Sequence, residues 1–181
     1  WSRTDGDHLG DVSFGAKTSR FYQEEVERRF FGHFLRGEGE LDLPEALVFE
    51  TGSNEWRSFD AWPPPTAAPA AMYFGGDGTL VDALPTQRKA RDRFVSDPDS
   101  PVPFTEDVAT GMTREYMTDD QRFASRRPDV MTYRSAPLEK GMTLAGPIEA
   151  ELWVTTDHED ADWIVKLIDV FPDDAKDHEF L

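Results

Sequence analysis

Ile148-Glu-Ala-Glu-Leu-Trp-Val-Thr-Thr156, Asp157-His-Glu-Asp160 and Ala161-Asp-Trp-Ile-Val-Lys-Leu-Ile-Asp-Val-Phe171 follow one another near the carboxyl end of this chain. In the last piece Trp163, Val165, Leu167, Asp169 and Phe171 alternate with Ile164, Lys166, Ile168 and Val170. A period of two in β-branched and aromatic residues matches a pleated strand, whose successive side chains leave on opposite faces. Both faces are largely apolar, which predicts a central strand covered on two sides. The first piece places Ile148, Ala150, Leu152 and Val154 on one face and Glu149, Glu151, Trp153 and Thr155 on the other. The polar connector between them is hairpin-sized. The pattern predicts the core of an antiparallel β-sandwich.

Working outward, Met131-Thr-Tyr-Arg-Ser135 reads as an opening strand, with a turn at Glu139-Lys-Gly141. Ala46-Leu-Val-Phe-Glu-Thr51 and Glu55-Trp-Arg-Ser-Phe59 read as a strand pair turning at Gly52-Ser-Asn54. Pro63-Pro-Pro65 ends the second of these, since proline cannot donate to a ladder. Met72-Tyr-Phe74 and Thr79-Leu-Val81 flank a tight turn at Gly75-Gly-Asp-Gly78, which lacks the following helix of a phosphate loop. Arg91-Asp-Arg-Phe-Val95 reads as a strand, residues 96–103 as a proline-rich loop, and 105–128 as a long loop holding a helical turn.

Residues 18–35 form the one helix. Thr18 or Ser19 is placed to cap it, and Glu24 and Glu25 suit its early turns. Tyr22, Val26, Phe30 and Phe34 recur every four residues, with Phe31 and Leu35 widening the stripe, and Gly37 marks the stop. Such a stripe is expected to pack on a neighbouring domain. Residues 37–44 then read as a linker, and residues 1–15 as an irregular loop.

Thirty-six acidic residues stand against 19 basic ones, a formal charge of −17. That balance argues against nucleic acid, which is held by clustered Lys and Arg, and against an anionic membrane surface. With no cysteine, neither a disulfide nor a thiol nucleophile is available. No apolar run reaches the roughly 20 residues of a membrane span, and no signal peptide is visible, so the reading leans to the cytoplasm. A start at Trp1 and a stop at Leu181 are read as the bounds of a piece of something longer.

Acyl-transfer chemistry needs a nucleophile, a base within reach of it and donors for the oxyanion. The chain has no Gly-x-Ser-x-Gly elbow. Of its four histidines, His33 lies at the end of the helix, His158 and His178 in acidic loops, and His8 in the opening loop. Asp5, Asp7 and Asp11 fail the EF-hand spacing, because Leu9 stands where an oxygen ligand is required. Asp157, Glu159, Asp160 and Asp162 are read as a solvated turn rather than a metal site. No catalytic residue, metal ligand or cofactor site is assigned.

Several blocks carry a resemblance when taken in order. They are Trp1-Ser-Arg-Thr-Asp-Gly6 with Gly10-Asp-Val-Ser-Phe14, Phe30-Phe-Gly-His-Phe-Leu35, Glu50-Thr-Gly-Ser-Asn-Glu-Trp56 with Ala61-Trp-Pro-Pro64, and Phe94-Val-Ser-Asp-Pro-Asp-Ser-Pro-Val-Pro103. Asp120-Gln-Arg-Phe123, Arg127-Pro-Asp-Val130, Leu144-Ala-Gly-Pro147 and the run to Pro172 complete the series. Together they resemble the cocaine esterase, α-amino acid ester hydrolase and X-Pro dipeptidyl-peptidase group of serine hydrolases, over nearly the whole chain.

The resemblance implies an α/β-hydrolase with a helical cap and a C-terminal, galactose-binding-like jelly roll, using a Ser–Asp–His triad. By that likeness the Ser, Asp and His lie upstream of Trp1. Residues 1–36 would be the end of the hydrolase domain, and 37–181 a jelly-roll β-sandwich short of its last strands. The expected partners are the upstream hydrolase and cap domains and a small acyl-ester or amide substrate, with a homo-oligomer compatible. Trp1 and Asp5 are the pocket-rim candidates, while Asn54 and Trp56 are expected to be structural. The competing reading is a stand-alone jelly-roll module binding carbohydrate, with Trp153 as a sugar platform. A free module has no use for an apolar helix ahead of its first strand, which favours the hydrolase reading.

Overall fold

Thr18 donates twice to the Gly6 carbonyl, from its backbone N–H (3.1 Å) and from Oγ1 (2.6 Å), and the Ser19 N–H reaches the Asp5 carbonyl (3.1 Å). The first N–H groups of a helix have no partner inside it. Here the opening loop supplies the acceptors as backbone carbonyls, and neither Thr18 nor Ser19 acts as the side-chain cap expected of it. In this computed structural model, which describes residues 4–86, 90–111, 113–173 and 175, the helix runs without a break to Arg36. It comprises α1 (Thr18–Phe21), a π-helical segment (Tyr22–Glu27) and α2 (Arg28–Arg36). Gly37 ends it in the left-handed conformation (φ 67°), its N–H donating to the His33 carbonyl (3.0 Å), as a glycine past the last turn allows. None of the described helices is long and apolar enough to cross a membrane.

The opening loop carries a two-residue ribbon, β1 (His8–Leu9) with β2 (Val12–Ser13). Beyond the linker, β3 (Ala46–Glu50) pairs antiparallel with β4 (Glu55–Phe59), in register from Ala46 opposite Phe59 to Glu50 opposite Glu55. Asn54 closes that turn at φ 55°, a conformation asparagine tolerates better than most residues. A shorter hairpin, β5 (Tyr73–Phe74) and β6 (Leu80–Val81), encloses a single 3₁₀ turn at Gly76–Gly78. Arg134 adds a parallel bridge to Thr79, with Leu80 N–H donating to Arg134 O (2.8 Å) and Arg134 N–H to Gly78 O (2.9 Å). The long loop holds a 3₁₀ turn at Glu115–Met117 and the short helix α3 (Arg122–Ser125). Past residue 45 the regular elements hold more strand than helix, and most of the described residues lie outside both.

Three strand expectations need correction. Residues 148–156 and 163–171 are not helical, but among the described residues they form no ladder, and 157–160 closes no hairpin between them. Alternation assigns each side chain a face; a ladder needs in addition a second backbone in register at the strand's edge. None is seated there, and the apolar side chains remain in solvent, with Trp153 95% and Ile164 86% exposed. Residues 91–95 likewise form no strand. That segment is held by side chains instead, Phe94 edge-on to Trp163 (5.9 Å) and Asp92 accepting from the Tyr133 hydroxyl (2.5 Å).

The interior is correspondingly thin. Among the described residues the buried side chains are those of Pro64, Thr105 and Ala124. The accessible surface is 15982 Å², against roughly 8,900 Å² for a compact monomer of this mass. Much apolar surface is exposed.

Candidate functional site

Around the start of the helix, Asp5 is held by two cations. Lys17 Nζ donates to Oδ2 (2.7 Å) and Arg20 Nε lies 3.4 Å from Oδ1. The Lys17 hydrogen bond, more than any other contact, holds the Asp5 carboxyl below its ordinary range. The loop packs closely there: a Cβ on Gly6 (φ 70°) would sit 2.3 Å from Ser19 Oγ and 2.5 Å from Ser19 N. Asp5 therefore acts as a strut between loop and helix. Trp1, the other pocket-rim candidate, lies outside the described residues, as does His178.

A chain of four rings carries this unit onto the β3–β4 hairpin. Phe14 meets Phe49 edge-on at 5.6 Å, Phe49 meets Trp56 at 5.5 Å, and Trp56 stacks on Phe21 at 4.6 Å. The expected structural role of Trp56 is thereby explained by ring packing. The helix presents its other aromatics outward: Phe34 is 60% and Leu35 75% exposed, with Tyr22, Phe30 and Phe31 beside them. Phe30 touches both Phe31 (5.4 Å) and Phe34 (4.8 Å), so the stripe is one continuous apolar surface.

The other sequence blocks that carry the resemblance also meet one another in space. Arg127 grips Asp129 with both arms of its guanidinium (2.8 and 2.7 Å) and donates to the Ser100 carbonyl (2.7 Å), tying the proline-rich loop to the 127–130 block. Arg127 lowers the Asp129 pKa, and Asp129 in return raises that of Arg127. Asp120 accepts from the Arg122 backbone N–H (2.9 Å) and from Arg122 Nε (2.6 Å), and this side-chain contact holds the Asp120 carboxyl low. Lys166 Nζ donates to Gln121 Oε1 (2.8 Å), joining the 120–123 block to the 161–172 run. Gly146, at φ 103°, sits so close to the Pro63 ring that an added Cβ would lie 3.1 Å from it.

These links escape a linear reading because their members lie far apart in the chain. Two further contacts escaped it for the same reason. Thr105 Oγ1 donates to Asp119 Oδ2 (2.5 Å) at a buried residue, and Tyr133 Oη to Asp92 with its ring against Phe74 (4.3 Å). Burial first, and then Asp92, push the Tyr133 phenol up to about 12.

The contacts of the described histidines are local. His8 Nδ1 is 2.8 Å from its neighbour Asp7, His158 Nε2 is 3.8 Å from Asp157, and His33 Nδ1 is 3.0 Å from the Gly39 carbonyl at the helix end. None of these places a serine hydroxyl beside an imidazole. Among the described residues no group of three His, Cys, Asp or Glu side chains is arranged to hold a metal.

With this geometry in view, residues 40–178 match the model of the X-Pro dipeptidyl-peptidase C-terminal non-catalytic domain. The chain belongs to that family. Its members are β-sandwich domains, and the resemblance seen in the sequence blocks is to the same group of proteins. Over 176 residues the chain is 31% identical to a cocaine esterase of a Rhodococcus species, covering 90% of this chain and 30% of that protein. An aminopeptidase from a marine sediment Thaumarchaeota archaeon matches in structure with a TM-score of 0.68 and 33% identity, over 77% of this chain and 23% of that one. An α-amino acid ester hydrolase matches equally, with a TM-score of 0.68 and 33% identity, over 80% of this chain and 25% of that one. The chain thus spans a third or less of the length of these relatives.

Proposed function

We propose that this chain works as the non-catalytic C-terminal part of a serine hydrolase that cleaves ester or amide bonds of acyl or α-aminoacyl substrates. In this reading it packs as a jelly roll on α/β-hydrolase and cap domains and helps to wall their pocket, while the triad stands elsewhere. One observation carries it: just ahead of the part of the chain that matches a non-catalytic domain family, the helix ending at Arg36 leaves an aromatic stripe in solvent. Contiguous apolar surface of this kind marks a contact site. The names of the relatives, an esterase, an aminopeptidase and an ester hydrolase, supply the reaction class. On the family resemblance alone, Asp5 and Trp1 would be the residues nearest the pocket rim. Asp5 reaches it only through the loop it braces, since its carboxylate is already engaged by Lys17 and Arg20.

The test is an assay of the isolated chain on a p-nitrophenyl ester beside a full-length relative. The chain alone is expected to be inactive, and to bind an isolated hydrolase domain of the family in a manner abolished by Phe34→Asp. Turnover by the chain itself at the relative's level would overturn the reading.

Trp153 supports a second reading. The residue is 95% exposed, a platform on which a sugar face could lie. Quenching or enhancement of tryptophan fluorescence by oligosaccharides, lost in Trp153→Ala, would favour a carbohydrate-binding module.

A further inference from the structure

Residues 37–42 read Gly-Glu-Gly-Glu-Leu-Asp, an acidic strip immediately after a helix whose last two turns carry Arg28, Arg29, His33 and Arg36. The strip does not lead away from the helix. Left-handed Gly37 and Gly39 (φ 67° and 69°) turn it back along the helix end, and three side chains of α2 hold it there. Arg36 NH2 is 3.0 Å from Glu38 Oε2, His33 donates from Nδ1 to the Gly39 carbonyl (3.0 Å), and Arg29 pairs with Asp42. The Glu38 N–H adds a backbone bond to the Gly32 carbonyl (3.1 Å). Four residues after Asp42, β3 begins. The opposite end of the helix is fastened to the same hairpin by the Phe21–Trp56 stack.

We propose that residues 37–42 form an electrostatic strap that locks the helix and the β3–β4 hairpin into one body, so that the angle between them depends on ionic strength. The Phe21–Trp56 stack fixes one end of the helix; the strap fixes the other. All the ion pairs in the strap are exposed, so salt screens them, with the Debye length falling from about 10 Å at 0.1 M to about 3 Å at 1 M. Once freed, six residues can span up to about 20 Å, ample for the C-terminal end of the helix to swing out. The strap is independent of any catalytic reading, because it rests only on contacts within this chain.

The chain has no cysteine, so two spin labels can be placed without interference, at Glu27→Cys on the helix and Ser58→Cys on β4. The distance distribution between them is expected to be narrow in low salt. In about 1 M salt it is expected to broaden and to lengthen by about 5 Å, one helical turn. Arg29→Glu, which sets a like charge against Asp42, is expected to do the same in low salt, and Arg29→Gln to do so in part. Adding Asp42→Arg to Arg29→Glu restores the narrow distribution, which also shows that the reversed chain still folds. A distribution that is unchanged in Arg29→Glu and in high salt overturns the proposal. So does a double reversal that stays as broad as the single one.

Discussion

Gly6→Ala is the substitution whose cost the geometry defines most sharply. Gly6 adopts φ 70°, so any side chain there bears the left-handed penalty of roughly 1–2 kcal/mol. The added Cβ would also lie 2.5 Å from Ser19 N and 2.6 Å from Thr18 Oγ1. A backbone nitrogen in a helix cannot step aside as the end of a long side chain can, so the loop must lift away. Lifting it breaks three hydrogen bonds, from Thr18 N, Thr18 Oγ1 and Ser19 N to the Gly6 and Asp5 carbonyls. These bonds lie near solvent, and at about 0.5 kcal/mol each, the low end for a net hydrogen bond, they add roughly 1.5 kcal/mol. The expected total is about 3 kcal/mol.

Gly15 is the matched control. It too is left-handed (φ 62°), but no atom lies within 4 Å of its would-be Cβ, so Gly15→Ala should cost only the backbone penalty of roughly 1–2 kcal/mol. Urea denaturation followed by helical circular dichroism reads both values. Amide exchange at Thr18 and Ser19 should accelerate in Gly6→Ala alone. Equal stability losses for the two variants, with no change in exchange at Thr18, would refute the account of the helix start.

Three further outcomes follow from the contacts described. A double-mutant cycle on Phe21→Ala and Trp56→Ala should return a coupling of about 0.5–1.5 kcal/mol, the worth of a ring pair beyond its buried area; a value near zero would mean the stack does not join helix to hairpin. Tyr133 should titrate at about 12 against an ordinary 10.0, as followed by phenolate absorbance. Since its folded value is the higher, the stability it contributes is complete below pH 10, is lost as pH rises through the folded value, and is absent in Tyr133→Phe. Arg127→Lys keeps the charge but loses the two-armed grip, so limited proteolysis should cut the 96–103 loop, and a loop as resistant as the native one would remove Arg127 as its anchor.

Local chemistry explains what could be read from the linear chain. The helix, its glycine stop, the β3–β4 pair with its Asn54 turn and the β5–β6 turn all declare themselves within a few neighbouring residues. The family likeness was legible as well, because its blocks are contiguous stretches kept in order. Side-chain faces in 148–156 and 163–171 were likewise plain, yet those segments carry no ladder, since pairing depends on a distant backbone that periodicity does not specify. The Arg127–Asp129–Ser100 grip, the Lys166–Gln121 bond and the Phe21–Trp56 stack join residues 27, 45 and 35 positions apart, from Ser100 to Arg127, Gln121 to Lys166 and Phe21 to Trp56. Such contacts exist only once the chain has turned back on itself. The contacts of Asp5 followed the same rule: only once Lys17 and Arg20, 12 and 15 positions further on, come beside its carboxylate does it brace the loop against the helix.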